Sequence, residues 1–272
     1  MKTMNRVDVM KSVAREAGEF MLGAQHLREH SEKSNAKDLV TLADLKSQSI
    51  IREKLAATFP EAVILSEEDP EEERKALFEP DFSGFVIDPI DGTYNFKRDM
   101  RESAISIGYI ENGESVAGVI YDPYKDELYE AEKEEGAFRN GEPIRVSEQA
   151  GLEGASIATG NSYDDEAMAR NLRRQLGIYE KSGIMPWTNC PGSGVLNMAY
   201  VACGRFDAFH HNGLKPWDNA AAFIIVREAG GVAYNLHGQE AKFTSSDVLV
   251  ATPTIARELR TIFDQLAPEL LS

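Results

Sequence analysis

The sequence predicts a mixed fold, with an α+β N-terminal half and an α/β C-terminal half. Turn dipeptides such as Asn112-Gly113 and Asn140-Gly141 separate short apolar runs between positions 103 and 146, which is typical of an antiparallel meander. From position 151 onward, strand patterns alternate with helical patterns, as in α/β proteins. We therefore divide the 272 residues into two halves, 1–150 and 151–272, which we expect to pack as one compact unit.

The composition favours a protein that attracts cations. The chain has 45 acidic and 29 basic residues, and its formal net charge is -16. A surface that binds DNA or RNA needs a basic face, so we expect no nucleic-acid partner. No signal-peptide core is present, no run approaches the roughly 18 apolar residues of a membrane span, and two cysteines are too few for a disulfide framework. We therefore expect a cytoplasmic protein with no membrane partner.

The N-terminal half opens with a helix and a polar segment. Apolar residues recur at helical spacing at positions 9, 13, 17 and 20. The polar residues 30–37, which include Lys33, are predicted to form a solvated loop, and a loop that folds over a site is the alternative. A few extended residues then lead to Asp44, and a second helix follows.

The stretch G-F-V-I-D-P-I-D-G-T-Y-N-F at residues 84–96 is the element around which we organise the chain. A short apolar run that ends in two acids and a Gly-Thr turn predicts a buried strand with Asp88, Asp91 and Thr93 at its C-terminal end. Two consecutive turns, Asp-Pro and Asp-Gly, are the alternative. The apolar run before it predicts another strand that ends in acids, the first of which is Glu67. Two such strand ends indicate a site for chemistry.

The C-terminal half contributes a glycine-rich helix start and a further acid. After a strand at 155–159 and a helix, the sequence Gly192-Ser193-Gly194 predicts the beginning of another helix. The next helix is almost wholly apolar, and Asp218 is predicted to be its N-cap. One more strand and a last helix complete the alternation, so the two halves can share one site.

Four acids lie at the edges of strongly apolar elements: Glu67, Asp88, Asp91 and Asp218. If these elements converge, the carboxylates repel one another unless they bind protons or cations. Oxygen ligands without a histidine or cysteine cluster favour hard cations, with Mg2+ ahead of Mn2+ or Ca2+. A structural calcium site is the alternative, although the spacing of an EF-hand loop is absent.

A pair of divalent cations on these acids would suit phosphoryl transfer. The hydroxyl of Thr93 could orient an attacking water, with Asp44 or Glu67 as its acceptor. The helix that begins at Gly192 offers backbone N–H groups to an anion. Phosphatases of the haloacid dehalogenase type carry D-x-D-G-T after a strand, whereas this chain has D-P-I-D-G-T. The extra residue argues against a covalent aspartyl phosphate.

Five motifs occur in order along most of the chain. They are L-V-T-L-A-D at 39–44, S-E-E at 66–68, D-P-I-D-G-T-Y-N-F at 88–96, G-S-G-V-L-N-M at 192–198 and W-D-N-A-A-A at 217–222. Together they resemble the inositol monophosphatase family, in the superfamily of fructose-1,6-bisphosphatase. The resemblance implies a five-layer αβαβα sandwich, Mg2+-dependent hydrolysis of a phosphate monoester by metal-activated water, sensitivity to Li+ and a homodimer.

The resemblance also implies a ligand set of two Mg2+ ions per subunit. Ligands of the first ion are expected to be Glu67, Asp88 and the backbone carbonyl of Ile90. Ligands of the second are expected to be Asp88, Asp91 and Asp218. A third, weaker ion is implied at Glu67 through water.

Further roles come from the same resemblance. Thr93, paired with Asp44, is expected to orient the nucleophilic water on the first ion, which Glu67 helps to hold. Lys33 corresponds to a lysine of the family's mobile loop. The expected contacts to the substrate and its phosphate are Asp91, Gly92, Thr93, Gly192, Ser193, Gly194 and His211.

Two departures from the family pattern concern the substrate. His211 stands where inositol-specific members have a sugar-binding glutamate, and Ser193-Gly194 replaces a common Thr-Ala. A surface-loop histidine is the alternative for His211. Inositol monophosphate is therefore the nominal substrate, and the 2′-phosphate of NADP or the 3′-phosphate of a nucleotide is the alternative. A regulatory binding protein with an idle metal site is the alternative of another class.

Overall fold

The computed structural model describes residues 5–27, 30–33 and 39–266. Within these ranges the helices are α1 (Arg6–Gly23), α2 (Leu42–Thr58), α3 (Glu71–Arg74), α4 (Thr93–Arg98), α5 (Asp165–Ser182), α6 (Gly194–Ala202), α7 (Pro216–Glu228) and α8 (Pro253–Phe263), with short 3-10 helices at Gln25–Leu27 and Lys75–Phe78. The strands are β1 (His30–Glu32), β2 (Leu39–Thr41), β3 (Ile64–Ser66), β4 (Gly84–Asp91), β5 (Ala104–Glu111), β6 (Glu114–Asp122), β7 (Glu127–Glu132), β8 (Gly136–Arg139), β9 (Glu142–Pro143), β10 (Ser156–Thr159), β11 (Trp187–Asn189), β12 (Ala208–Asn212), β13 (Val232–Asn235) and β14 (Asp247–Ala251).

The N-terminal half forms a seven-stranded sheet in which strands β3 to β9 lie in chain order. Only β3 and β4 pair in parallel, and every later pair is antiparallel, so the predicted meander is confirmed. Asn112 and Gly113 join β5 to β6 with φ angles of 50° and 77°. Both angles are positive, as the type I′ turn of a two-residue hairpin requires.

The C-terminal half forms a five-stranded sheet of order β11-β10-β12-β14-β13. Strand β10 pairs in parallel with both β11 and β12, whereas β14 pairs antiparallel with β12 and β13. The sequence patterns predicted β10 and β14 but not the short strands β11, β12 and β13. Each of these strands is only three to five residues long, so it gives little periodic signal.

The layers follow from which helices cover each sheet. Helices α1 and α2 pack on one face of the seven-stranded sheet, and α6 and α7 fill the space between the two sheets. Helices α5 and α8 cover the outer face of the five-stranded sheet. The order is therefore α-β-α-β-α, and the predicted five-layer sandwich is confirmed. In the described part of the chain, no helix combines the length and the apolar character needed to cross a membrane.

Helices α2 and α7 begin earlier in the chain than expected, so Asp44 and Asp218 lie inside the first turn of these helices. Asp44 lies in the first turn of α2, where its carboxylate accepts a hydrogen bond from the Thr41 N–H at 2.7 Å. Asp218 lies in the first turn of α7, where its Oδ2 accepts from the Lys215 N–H at 2.7 Å. The prediction that Asp218 is the N-cap is wrong. Pro216, with its fixed φ, is the first residue of the helix, so Lys215 is the N-cap and the helix begins two residues before Asp218.

Helix α7 contacts the seven-stranded sheet through two glycines that face each other, Gly108 on β5 and Gly118 on β6. A Cβ atom on Gly108 would lie 2.7 Å from the backbone carbon of Ala220, and one on Gly118 would lie 2.5 Å from the backbone oxygen of Ala221. The helix backbone therefore rests directly on the strands. Any side chain at either position would push α7, and Asp218 with it, away from β4.

We expect Gly118→Ala to lower the free energy of unfolding by about 1–3 kcal/mol, because an added methyl group forces the packed backbones apart. Urea denaturation measures the change. Gly23→Ala, at the end of α1, is the matched control, since nothing lies within 4 Å of its added Cβ. Equal stability of the two variants would contradict the direct seating of α7 on the sheet.

Candidate metal centre and active site

Three buried aspartates from two elements meet at one point. Asp88 and Asp91 come from the end of β4, and Asp218 comes from the first turn of α7. Each offers a carboxylate oxygen, and these oxygens all lie within 4.8 Å of one another. The three residues are at most 9% exposed. Convergence was expected for four acids; the structure brings these three together, whereas Glu67 is not a member of the group and pairs with Lys33.

An irregularity in β4 allows two acids of the same strand to share the site. Residues three apart in a regular strand point to opposite faces of the sheet. The register between β4 and β5 shifts between Asp88 and Asp91, as at a β-bulge. The bulged backbone is fixed from α2, because Ser47 Oγ donates to the Pro89 carbonyl at 2.9 Å. Gly92 then takes a φ of 84° and turns the chain into α4.

The N-terminus of α6 is directed at Asp91. Its Oδ2 accepts hydrogen bonds from the Ser193 hydroxyl and from the Val195 N–H, the latter at 3.2 Å. Ser193 also caps α6, since its Oγ accepts from the Leu196 N–H at 3.1 Å. Segment 192–194, predicted to face an anion, thus lies beside a carboxylate of the acid cluster. The helix dipole stabilises the negative charge there.

Lys33 pairs with the acids that follow β3. Its Nζ lies 2.8 Å from Glu67 Oε1 and 2.7 Å from Glu68 Oε1. The loop predicted at 30–37 instead begins with strand β1, which pairs with β2, and residues 34–38 lie outside the described residues. Glu68 was not among the predicted site residues, although the S-E-E doublet was a signal for it. The positive charge of the Lys33 ammonium group partly neutralises the negative charge of Glu67 and Glu68 at this edge of the site.

Burial and mutual repulsion dominate the electrostatics of the cluster. Burial, followed by the charges of neighbouring acids, raises the pKa of Asp88 and of Asp218 well above the ordinary range. Burial also raises the pKa of Asp91 to about 6, against the opposing hydrogen bonds from Ser193 and Val195. Burial and the Glu67 charge raise the pKa of Glu68 to about 8. So many buried carboxylate oxygens fit a hard divalent cation, which would remove the repulsion.

A second polar group joins β4 to α2. The Thr93 hydroxyl lies 3.1 Å from Asp44 Oδ1 and 3.2 Å from the Ile90 carbonyl oxygen. Burial raises the Asp44 pKa to about 6, although two hydrogen bonds from Thr41 oppose the shift. Of the two acceptors left open for Thr93, Asp44 is the one within hydrogen-bond distance.

His211 lies on the buried strand β12 and is only 4% exposed, so its interpretation as a surface-loop histidine is wrong. Its Nε2 lies 3.3 Å from the Asn161 carbonyl oxygen, and its buried Nδ1 has no hydrogen-bond partner among the described residues. Burial lowers the His211 pKa to about 4, and the nearby Arg174 charge contributes in the same direction. The imidazole is therefore neutral at physiological pH.

Tyr163, between β10 and α5, is the site neighbour that sequence reasoning missed. Its hydroxyl is close enough to the acid cluster that, after burial, the charges of Glu67, Asp91, Asp218 and Asp88 raise its pKa. The surrounding sequence, G-N-S-Y-D-D, has neither apolar periodicity nor a motif that would single out the tyrosine. Only the fold brings it to the acids.

The model described as "Inositol monophosphatase family" matches residues 4–267. The chain belongs to the inositol monophosphatase family. It is 34% identical to the fructose-1,6-bisphosphatase/inositol-1-monophosphatase of Thermotoga maritima, over 98% of this chain and 99% of that one. It is 31% identical to the Nus factor SuhB of Escherichia coli K12, over 97% and 98% of the two chains. The Thermotoga maritima IMPase structure superimposes with a TM-score of 0.85 at 33% identity, covering 98% of this chain and 100% of that one.

Family membership makes the chain a phosphatase, and the acid cluster agrees with the metal dependence of the family. The chain aligns with nearly the whole length of the Thermotoga maritima relative, in sequence and in structure.

Removal of one carboxylate should reveal the repulsion in the cluster. In protein stripped of metal, we expect Asp88→Asn to raise Tm, because it relieves charge repulsion while the amide oxygen can still accept from the Ile90 N–H. Wild-type protein should gain about 2.7 kcal/mol when Mg2+ reaches 100 times its Kd, and the variant should gain far less. Thermal melts with and without Mg2+ measure both effects.

The exposed Asp81→Asn is the control for this experiment, and it should respond to Mg2+ like the wild type. A full Mg2+ response in Asp88→Asn would show that the stabilising cation binds elsewhere.

The buried imidazole of His211 should make folding sensitive to acid. Its pKa in the folded protein is about 4, below the ordinary 6.5, so only the unfolded chain binds a proton between these values. The contribution of the neutral His211 imidazole to the free energy of unfolding is complete above pH 6.5. As the pH falls from 6.5 toward about 4, the free energy of unfolding decreases by up to about 1.4 kcal/mol per pH unit. In urea denaturation at several pH values, His211→Asn should flatten this slope, whereas the exposed His237→Asn should keep it. An unchanged slope in His211→Asn would contradict the assignment.

Proposed function

We propose that this protein hydrolyses a small phosphate monoester, nominally inositol monophosphate, with two Mg2+ ions as cofactors and a third at Glu67. The observation that carries the proposal is the group of three buried aspartates beside the hydrogen-bonded pair Thr93–Asp44. Carboxylates that share one buried place need divalent cations, and a nearby hydroxyl with its own acceptor can orient a water.

The residues divide into two ligand groups. Glu67, Asp88 and the Ile90 carbonyl would hold the first ion, and Asp88, Asp91 and Asp218 would hold the second. The bound cations would polarise the attacking water and neutralise the charge of the phosphate. The bulge in β4 supports this proposal, since it lets Asp88 and Asp91 of one strand face the same site.

Thr93 would act on the nucleophilic water through its hydroxyl. The Thr93 hydroxyl donates toward Asp44 Oδ1 at 3.1 Å, which leaves the lone pairs of Oγ1 to accept a hydrogen bond from the water. Asp44 is itself held by Thr41, so the acceptor direction is fixed before substrate arrives. The N–H groups of Gly92 and Thr93 would bind the phosphate.

The organic part of the ester would lie toward segment 192–194 and His211. A neutral imidazole lacks the charge of the glutamate found in inositol-specific members, which weakens recognition of inositol hydroxyls. The alternative substrates are therefore the 2′-phosphate of NADP and the 3′-phosphate of a nucleotide. We also infer, by family resemblance, a cytoplasmic homodimer that Li+ inhibits and in which Lys33 belongs to a mobile loop.

A regulatory binding role is the alternative of another class, and relatives named Nus factor SuhB give it weight. The acids at every expected ligand position argue for hydrolysis instead, because an idle site has no need of several buried carboxylates.

We expect Asp91→Asn to lower kcat by about 100-fold or more while the protein stays folded, because the change removes a charged ligand at nearly constant volume. Phosphate release from inositol phosphates, sugar phosphates, NADP and 3′-phosphonucleotides with Mg2+ measures the activity and ranks the substrates. Asp81→Asn, on the surface, should keep full activity. Release from none of these esters by the wild type would favour the binding role, and near-normal turnover by Asp91→Asn would refute the ligand assignment.

A further inference from the structure

The turn at residues 66–69, which we call the Glu67 turn, carries the proposed metal ligand Glu67 out of strand β3. The Ser66 N–H donates to Asp69 Oδ2 at 2.8 Å, and the Asp69 N–H donates to the Ser66 carbonyl oxygen at 3.2 Å. The Glu67 N–H also donates to the carbonyl oxygen of Ile87, the residue before Asp88, at 3.2 Å. The shape of this turn therefore decides where Glu67 lies relative to the aspartates of the cluster.

The carboxylate of Asp69 is held by helix α2. Gln48 Nε2 donates to Asp69 Oδ1 at 3.2 Å, and the Arg52 guanidinium donates to Asp69 Oδ2. The Asp69 side chain is only 6% exposed. A charge-assisted hydrogen bond with so little solvent around the carboxylate is stronger than an ion pair on the surface. Asp69 thus attaches the Glu67 turn firmly to α2.

The same side of α2 holds two other parts of the site. Asp44 accepts from the Thr93 hydroxyl at 3.1 Å, and Ser47 Oγ donates to the Pro89 carbonyl oxygen at 2.9 Å. The side chains at positions 44, 47, 48 and 52 share one side of the helix, because residues three and four apart are neighbours. Helix α2 therefore contacts the hydroxyl proposed to orient water, the bulge of β4 and the Glu67 turn at once.

Two further contacts act on Glu67 without Asp69. Arg74 Nη1 donates to the Glu67 carbonyl oxygen at 3.0 Å, and the Arg74 Cζ lies 4.9 Å from the ring centroid of Trp217 at the start of α7. The Lys33 ammonium lies 2.8 Å from Glu67 Oε1. These contacts should keep the turn beside β4 when Asp69 is changed, whereas the attachment to α2 would be lost.

We propose that Asp69 is a positioning residue, which fixes Glu67 through its ion pair with Arg52 and thereby sets the affinity of the Mg2+ ion that Glu67 would hold. The proposal rests on the proposed function and its metal site. A residue that orients a metal ligand typically contributes about 10–100-fold to metal affinity. In the ligand set proposed above, Asp69 binds neither an ion nor the substrate, so its effect belongs to Mg2+ binding rather than to turnover at saturating Mg2+.

Isothermal titration calorimetry of metal-stripped protein with Mg2+ alone measures the apparent Kd. We expect Asp69→Asn to raise this Kd about tenfold or more, while kcat for inositol 1-phosphate at saturating Mg2+ stays within about threefold of the wild type. Arg52→Gln should raise the Kd in the same way. Arg52→Lys keeps a positive charge beside Asp69 and should stay within about threefold of the wild-type Kd.

The double variant Asp69→Asn/Arg52→Gln separates positioning from a loss of folding, since it leaves no buried charge unpaired. If the two residues act as a pair, its Kd should equal that of either single variant, and the two losses should not multiply. Glu127→Gln is the matched control. It breaks the ion pair with Arg205 on β7, three strands from β4 in the same sheet, and should leave the Kd for Mg2+ unchanged.

An unchanged Kd in Asp69→Asn would overturn the positioning role and leave the phosphatase activity standing. An equal rise in Glu127→Gln, or losses that multiply in the double variant, would overturn it as well. Mg2+ binding by the wild type without phosphate release would count against the proposed function alone, because the comparison of Kd values would still test Asp69. Absence of both Mg2+ binding and hydrolysis in the wild type would contradict the proposed function and this inference together.

Discussion

Repulsion between buried carboxylates is the constraint on which the rest of this structure depends. Asp88, Asp91 and Asp218 bring their oxygens within 4.8 Å of one another in a place with almost no solvent. Such a group is unfavourable unless the fold supplies compensation. The first turn of α6 donates to Asp91, and the start of α7 donates to Asp218. These bonds offset part of the repulsion and leave the rest to be balanced by cations.

The helices therefore serve two purposes. They bury the apolar faces of both sheets, and backbone N–H groups at two of their N-termini donate to the acids, from Val195 in α6 and from Lys215 just before α7. Because α6 and α7 lie between the sheets, their N-terminal ends bring polar groups to the cluster while their sides fill the core. This arrangement explains why these two apolar helices carry residues of the site at their N-terminal ends, Ser193 as the N-cap of α6 and Asp218 in the first turn of α7.

Much of the fold and of the acid cluster could be predicted from the sequence, because short apolar runs that end in acids leave a strong local signal. The position of Asp218 within α7 could not, since Pro216 decides where the helix begins. The burial of His211 and the approach of Tyr163 could not be predicted either. Both depend on the packing of segment 160–164 against β12, and residues in contact there are about 50 positions apart in the chain. The bulge in β4 was also hidden, because a slip in register leaves no compositional trace.

The seating of α7 on Gly108 and Gly118 has a consequence for how the protein tolerates sequence change. The contact is made by main-chain atoms of Ala220 and Ala221 together with Ala220 Cβ and Ile224 Cγ2, so the spacing between Asp88 and Asp218 depends on few side-chain atoms at this interface. Apolar residues elsewhere in the core can drift in volume, and local repacking absorbs the difference. The distance between the two acids therefore depends less on such changes in core volume than on Gly108 and Gly118, which set how closely α7 approaches the sheet.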